Sequence, residues 1–98
     1  MAGKSLWVQM TAKTGMELEV AEFLTGALPL VEDEPATRTW YALQIGESTF
    51  GIFDTFDDDA GRDAHLSGKV AEALMGRADE LFSEPPRIDH ADVLASKH

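Results

Sequence analysis

Apolar and polar residues alternate from Leu6 to Ala12, with Leu6, Val8 and Met10 on one side and Trp7, Gln9 and Thr11 on the other. That two-residue period predicts a strand. Thr14-Gly15-Met16-Glu17 follows in the form of a capping box, in which Thr14 accepts from a first-turn amide and Glu17 reaches back to the Thr14 N–H. Behind it Met16, Val20, Phe23, Leu24 and Ala27 recur at helical spacing, Glu19 and Glu22 fall mainly on the opposite side, and Gly26 with Pro29 marks the end. Leu30 to Pro35 reads as a short acidic link. Thr37 to Ile45, rich in β-branched and aromatic residues, predicts a second strand that sends Trp40, Ala42 and Gln44 one way and Thr39, Tyr41, Leu43 and Ile45 the other.

Gly46-Glu47-Ser48 has the length of a hairpin connection into a third strand, Thr49 to Phe56, which is apolar on both faces and therefore needs cover on two sides. Asp57 is the expected N-cap of the next helix, with Asp58 and Asp59 favoured in its first turn by the helix dipole. Ala60, Ala64, Ala71, Leu74 and Ala78 form its apolar stripe. On an unbroken helix His65 falls roughly 140° from Ala60, on the polar side, at about 100° per residue. A break at Ser67-Gly68 would reset that phase, glycine costing about 1 kcal/mol there relative to alanine. Pro85-Pro86 ends the helical part, and Ile88 to Ala95 alternates as a last strand.

The predicted order is β-α-β-β-α-β, an α+β ferredoxin-like arrangement in which two helices cover one face of a four-stranded antiparallel sheet. The other face then carries apolar side chains with nothing in the chain left to cover them, and a patch of that kind marks an interface. A second copy packed sheet against sheet, a two-fold homodimer, is the economical partner.

Composition narrows the function classes. Ninety-eight residues, 44% hydrophobic and 27% charged, suit one globular domain spanning 1–98. A formal net charge of −10 disfavours nucleic acid and an anionic membrane surface, both of which select Lys and Arg. No apolar run reaches the roughly 18 residues that span a bilayer. The absence of cysteine removes thiol nucleophiles, disulfides and thiolate metal sites. With no secretory signal evident, it leads us to expect a cytoplasmic protein.

Several segments together resemble the antibiotic biosynthesis monooxygenase family, small dimeric α/β barrel proteins that include quinol monooxygenases and heme-degrading enzymes. They are Ala12-Lys13-Thr14-Gly15 with Glu17 and Glu19, Glu34-Pro35 with Thr37 and Trp40, and Phe50-Gly51-Ile52-Phe53-Asp54-Thr55-Phe56. Ala64-His65-Leu66 and Gly68-Lys69-Val70 follow, so the resemblance runs from about residue 6 to 95. It implies a ferredoxin-like protomer, a face-to-face dimer and a pocket between helices and sheet in each protomer. It also implies oxidation of aromatic, quinol-like substrates by molecular oxygen with no metal, flavin or other cofactor. One departure counts against heme degradation. That branch uses an asparagine on the first strand and a histidine further along the second helix, where this chain has Val8, Gln9, Leu74 and Met75.

His65 is the candidate catalytic residue, because an imidazole of near-neutral pKa can take a phenolic proton and leave an oxygen-reactive phenolate. Trp40, Tyr41 and Phe53 are candidates to shape a pocket and stack on a flat substrate; Trp40 and Tyr41 lie on opposite strand faces, so only one lines a given pocket. Asp54 is unusual within an apolar strand and, if buried, would pair with Arg62 or Arg38 or orient His65. Gln9 could hydrogen-bond a substrate oxygen. Asp57-Asp58-Asp59 lacks the glycine and terminal glutamate of a calcium loop, so helix capping accounts for it and no metal is expected. His90 with Asp92 reads as surface or interface. The expected function is therefore a cofactor-independent monooxygenase acting on a small aromatic or quinol-type molecule. The alternatives are a non-catalytic dimeric module for small-molecule binding or stress-related accessory work, and an isomerase or decarboxylase using the same histidine as proton shuttle.

Overall fold

A computed structural model describes residues 3–98. Its strands are β1 (Lys4–Thr11), β2 (Thr37–Ile45), β3 (Thr49–Phe56) and β4 (Arg87–Asp92), in one antiparallel sheet ordered β2-β3-β1-β4. Helices α1 (Glu17–Gly26) and α2 (Leu28–Glu32) join β1 to β2. Helices α3 (Asp59–Leu66), α4 (Lys69–Gly76) and α5 (Ala78–Leu81) join β3 to β4. This is the expected ferredoxin-like order, with each crossover helix divided into shorter pieces. No helix among the described residues is long and apolar enough to cross a membrane.

Register decides which side chains meet. Leu6, Val8 and Met10 pair with Asp54, Ile52 and Phe50, and Trp40 pairs with Asp54 on the other side of β3. Directly paired residues point to the same face of a sheet, so these side chains share the helix-covered face. There Val8, Met10, Phe50 and Ile52 form the main core with Val20 and Leu24 of α1, Leu74 of α4 and Leu81 of α5. A smaller cluster of Ala27, Val31 and Val70 joins it through Trp40.

The opposite face carries Trp7, Gln9, Tyr41, Leu43, Ile45 and Phe53. Tyr41, Leu43 and Ile45 are 55%, 41% and 48% exposed, an apolar surface that no helix covers. Gly51 is glycine for a steric reason: a Cβ there would lie 2.4 Å from Cη2 of Trp7, whose ring spans β3 at that point.

Several expected boundaries are corrected. The Thr14 capping box does not form: Gly15 turns the chain at φ 88, the helix starts at Glu17, and Glu17 Oε1 accepts from the Gly15 N–H instead. Asp58, not Asp57, caps α3, accepting from the Gly61 N–H at 2.9 Å. The first helix ends at Gly26 as expected, but the acidic link is partly helical: Pro29 sits in the first turn of α2, and Val31 anchors that helix in the core. The last strand stops at Asp92, short of Ala95.

Candidate functional site

The chain breaks between α3 and α4 at Ser67-Gly68, and that break places the histidine. On α3 the buried residues are Gly61 and His65, one helical turn apart, while Ala60 and Ala64 of the expected stripe face solvent. The continuous stripe is therefore corrected. α4 restarts at Lys69 with Gly68 as N-cap and buries Val70 and Leu74 on its own phase. Glycine at 68 is what the local packing accepts, because a Cβ there would sit 3.2 Å from Glu34 Oε2 and 3.3 Å from the carbonyl oxygens of Ala64 and His65.

His65 is 8% exposed and lies between two carboxylates. Its Nε2 is 3.0 Å from Asp54 Oδ2, and its Nδ1 is 2.5 Å from Glu34 Oε1. Asp54 has no exposed surface, and the imidazole of His65 is the group that faces its carboxylate and compensates the charge. Glu34 comes from the loop after α2, and its Oε1 also accepts from the Thr37 hydroxyl at 2.8 Å. Thr37 reaches this side of the sheet because the β2–β3 register shifts between Thr37 and Thr39, pairing Thr37 with Phe56. A bulge of this kind re-aims a side chain that regular alternation would send to the open face. The Phe56 ring packs against the imidazole, with centroids 5.4 Å apart.

Two acceptors on one imidazole constrain its charge. A neutral ring has one N–H and one lone pair, and here the lone pair would face a carboxylate oxygen; the imidazolium donates at both nitrogens. Burial is the largest single influence on His65 and opposes the charge. The hydrogen bonds and negative charges of Asp54 and Glu34 together outweigh it, so His65 titrates above the ordinary histidine value.

Beside His65 a cavity of about 140 Å³ opens between sheet and helices, walled by Leu6, Val8 and Ile52 on the sheet side and by Leu66, Val70 and Leu74 on the helix side. Met75 and Ile88, 53% and 37% exposed, stand among the lining residues nearest solvent. Its volume is of the order of the enclosed apolar cavities of about 150 Å³ that take up benzene. His65 is the one titratable side chain among the lining residues. Among the described residues no group of three or more His, Asp or Glu side chains is arranged to hold a metal ion.

The candidates named from sequence separate into two places. His65 and Asp54 meet directly, and Trp40 shares their face but packs in the core, apart from the cavity wall. Gln9, Tyr41 and Phe53 lie on the open face. Arg62 does not pair with Asp54: its guanidinium donates to the carbonyls of Ser5 and Ala91 and to Asp59 Oδ1. Arg38 pairs with Asp57 at 3.5 Å. Glu34 and Thr37, absent from the candidate residues, complete the histidine's surroundings. The available signal was Glu34-Pro35 with Thr37, three polar or turn-forming residues at the entry to a strand, but nothing local linked them to a histidine about thirty residues on.

Against known proteins, the chain matches a solved protein of unknown function from Nitrosomonas europaea at 49% identity, with a TM-score of 0.97, over 100% of this chain and 95% of the other. The chain belongs to the family of that protein. Members of wider groups share the fold alone. A Pseudomonas aeruginosa structure aligns at 18% identity and TM-score 0.83 over 97% of both chains. A structure named antibiotic biosynthesis monooxygenase aligns at 13% identity and TM-score 0.81, over 94% of this chain and 99% of that one. The fold is thus of the antibiotic biosynthesis monooxygenase type. No family model and no curated protein matches the chain.

Proposed function

We propose that the chain works as a homodimer that takes a small, flat, mainly apolar molecule into the cavity beneath α3 and α4, and that its chemistry is cofactor-independent oxidation of a quinol-type ring by molecular oxygen. The observation that carries this reading is His65, a single titratable side chain on an otherwise apolar wall. Once His65 has passed its Nδ1 proton to Glu34 and that nitrogen turns from the carboxylate with its lone pair free, a ring hydroxyl placed there would lose its proton to the imidazole, and the resulting phenolate is electron-rich enough to react with oxygen. Asp54 would hold the charge on His65 as the ring is reprotonated by the substrate, in the way a buried carboxylate orients and stabilises an imidazolium. The apolar walls would keep water from the reacting ring. The homodimer is supported by the exposed apolar side chains Tyr41, Leu43 and Ile45 on the face of the sheet away from the helices, and Gln9, Tyr41 and Phe53 would lie at its seam.

A second reading has its own support. Both nitrogens of His65 already face carboxylates, and no aromatic ring lines the cavity to stack on a substrate. A non-catalytic module that binds a small apolar molecule would look the same. Oxygen uptake by the purified protein with hydroquinones and anthrones, compared between wild type and His65→Ala, separates the two. Uptake that falls at least tenfold in the variant supports the monooxygenase chemistry. Binding without uptake by either protein supports the module.

A further inference from the structure

We infer that Glu34 is a positioning residue that locks His65 as an imidazolium, so that the seating of one loop carboxylate decides whether His65 is available as a base. Glu34 is held by two bonds and bordered by a third group. Its Oε1 accepts from the Thr37 hydroxyl at 2.8 Å and from His65 Nδ1 at 2.5 Å. Its Oε2 lies against Gly68, the N-cap of the eight-residue α4, where the helix dipole favours a negative charge and the missing Cβ leaves room for the carboxylate. Thr37 is turned to this side only by the bulge in β2, and Gly68 is the break that frees α3 to bury His65. Bulge, helix break and loop carboxylate therefore converge on one ring nitrogen.

The ionisable groups that face the ring are Asp54 from β3 and Glu34 from the loop. From β2 comes the uncharged Thr37 hydroxyl, from β3 also the Phe56 ring, and Arg62 of α3 is turned away to backbone carbonyls. The two carboxylates differ in kind. Asp54 is wholly buried within a central strand and has no freedom to leave, whereas the Glu34 side chain is 19% exposed on a loop. Removing the Glu34 charge leaves Nδ1 facing a neutral partner, and a neutral imidazole then becomes compatible with the site: it donates from Nε2 to Asp54 and accepts at Nδ1.

The bearing of Glu34 on turnover rests on the function proposed above; its bearing on the protonation of His65 does not. The test is a pH titration of the His65 ring by NMR in the full chain, with no substrate or oxygen required. In wild type the midpoint lies above the ordinary histidine value. In Glu34→Gln, which keeps the shape and removes the charge, it falls by about one unit or more, the usual size of a neighbouring-charge effect. Glu34→Asp restores part of the shift. Thr37→Val, which keeps the carboxylate but removes its orienting hydroxyl, gives a smaller fall and serves as the deciding variant if Glu34→Gln does not fold. An unchanged midpoint in Glu34→Gln, or in Thr37→Val where that is the one that folds, overturns the inference. A shifted midpoint without any oxygen uptake keeps Glu34 as the positioning residue and removes the monooxygenase reading alone.

Discussion

Nε2 of His65 lies 3.0 Å from Oδ2 of Asp54, a carboxylate with no exposed surface at the middle of the sheet. A charge so placed is tolerable only while its partner is present. Replacing one member of a buried ion pair costs about 3–5 kcal/mol, because the other is left uncompensated. His65→Leu is expected to destabilise by that order in urea unfolding, and Asp54→Leu in the His65→Leu background to return much of the loss. A double mutant no more stable than His65→Leu would show that the pair is not coupled.

Stability should also follow the titration of His65. Its folded-state pKa is raised above the unfolded value, with burial opposing and the bonds and charges of Asp54 and Glu34 prevailing. A group raised in this way contributes stability that is fully present below the unfolded value, about 6.5, and lost as pH rises through the folded one. The melting temperature of wild type is therefore expected to fall as pH climbs from about 6.5 into the alkaline range. In His65→Gln the same window should be flatter, and equal slopes in the two proteins would remove His65 as the cause.

Much of this arrangement was legible in the residues, and the unreadable part has definite causes. Alternation separated Leu6, Val8 and Met10 from Trp7, Gln9 and Thr11 along β1, and Trp40, Ala42 and Gln44 from Tyr41, Leu43 and Ile45 along β2, because the period of a strand carries along its length without drift. Only the register joined the two splits into common faces. His65 was not assignable. A helix turns about 100° per residue, so the phase of the second half says nothing of the first once Ser67-Gly68 interrupts it. Thr37 was hidden by a bulge that inverts local alternation, and Glu34 by its loop, which has no period to read.

The contact between Trp7 and Gly51 makes a separate prediction. A Cβ at position 51 would stand 2.4 Å from the Trp7 ring, so Gly51→Ala must lift that ring from the sheet. Overpacking of this size costs about 1–3 kcal/mol. The expected result is a lower melting temperature together with a changed tryptophan emission spectrum. Unaltered emission at unaltered stability would contradict the packing described.

Assembly can be tested on the same face. Sedimentation equilibrium of wild type should give a dimer. Leu43→Glu, which places a charge amid the exposed Tyr41, Leu43 and Ile45, should shift it towards monomer by about tenfold or more in dissociation constant while the far-ultraviolet circular dichroism stays the same. A monomeric wild type would leave the open face without the partner proposed for it.

The central claim is that the His65-walled cavity is where the small molecule binds. Its most direct measurement is an anaerobic NMR titration of hydroquinone into the full chain, followed on both faces of the sheet. Saturable shifts are expected at His65, Val70 and Leu74, with none at Tyr41, and they should be abolished by Ala71→Phe, which fills the cavity from α4. Shifts confined to Tyr41 and its neighbours, or shifts at His65 that persist unchanged in Ala71→Phe, would contradict it.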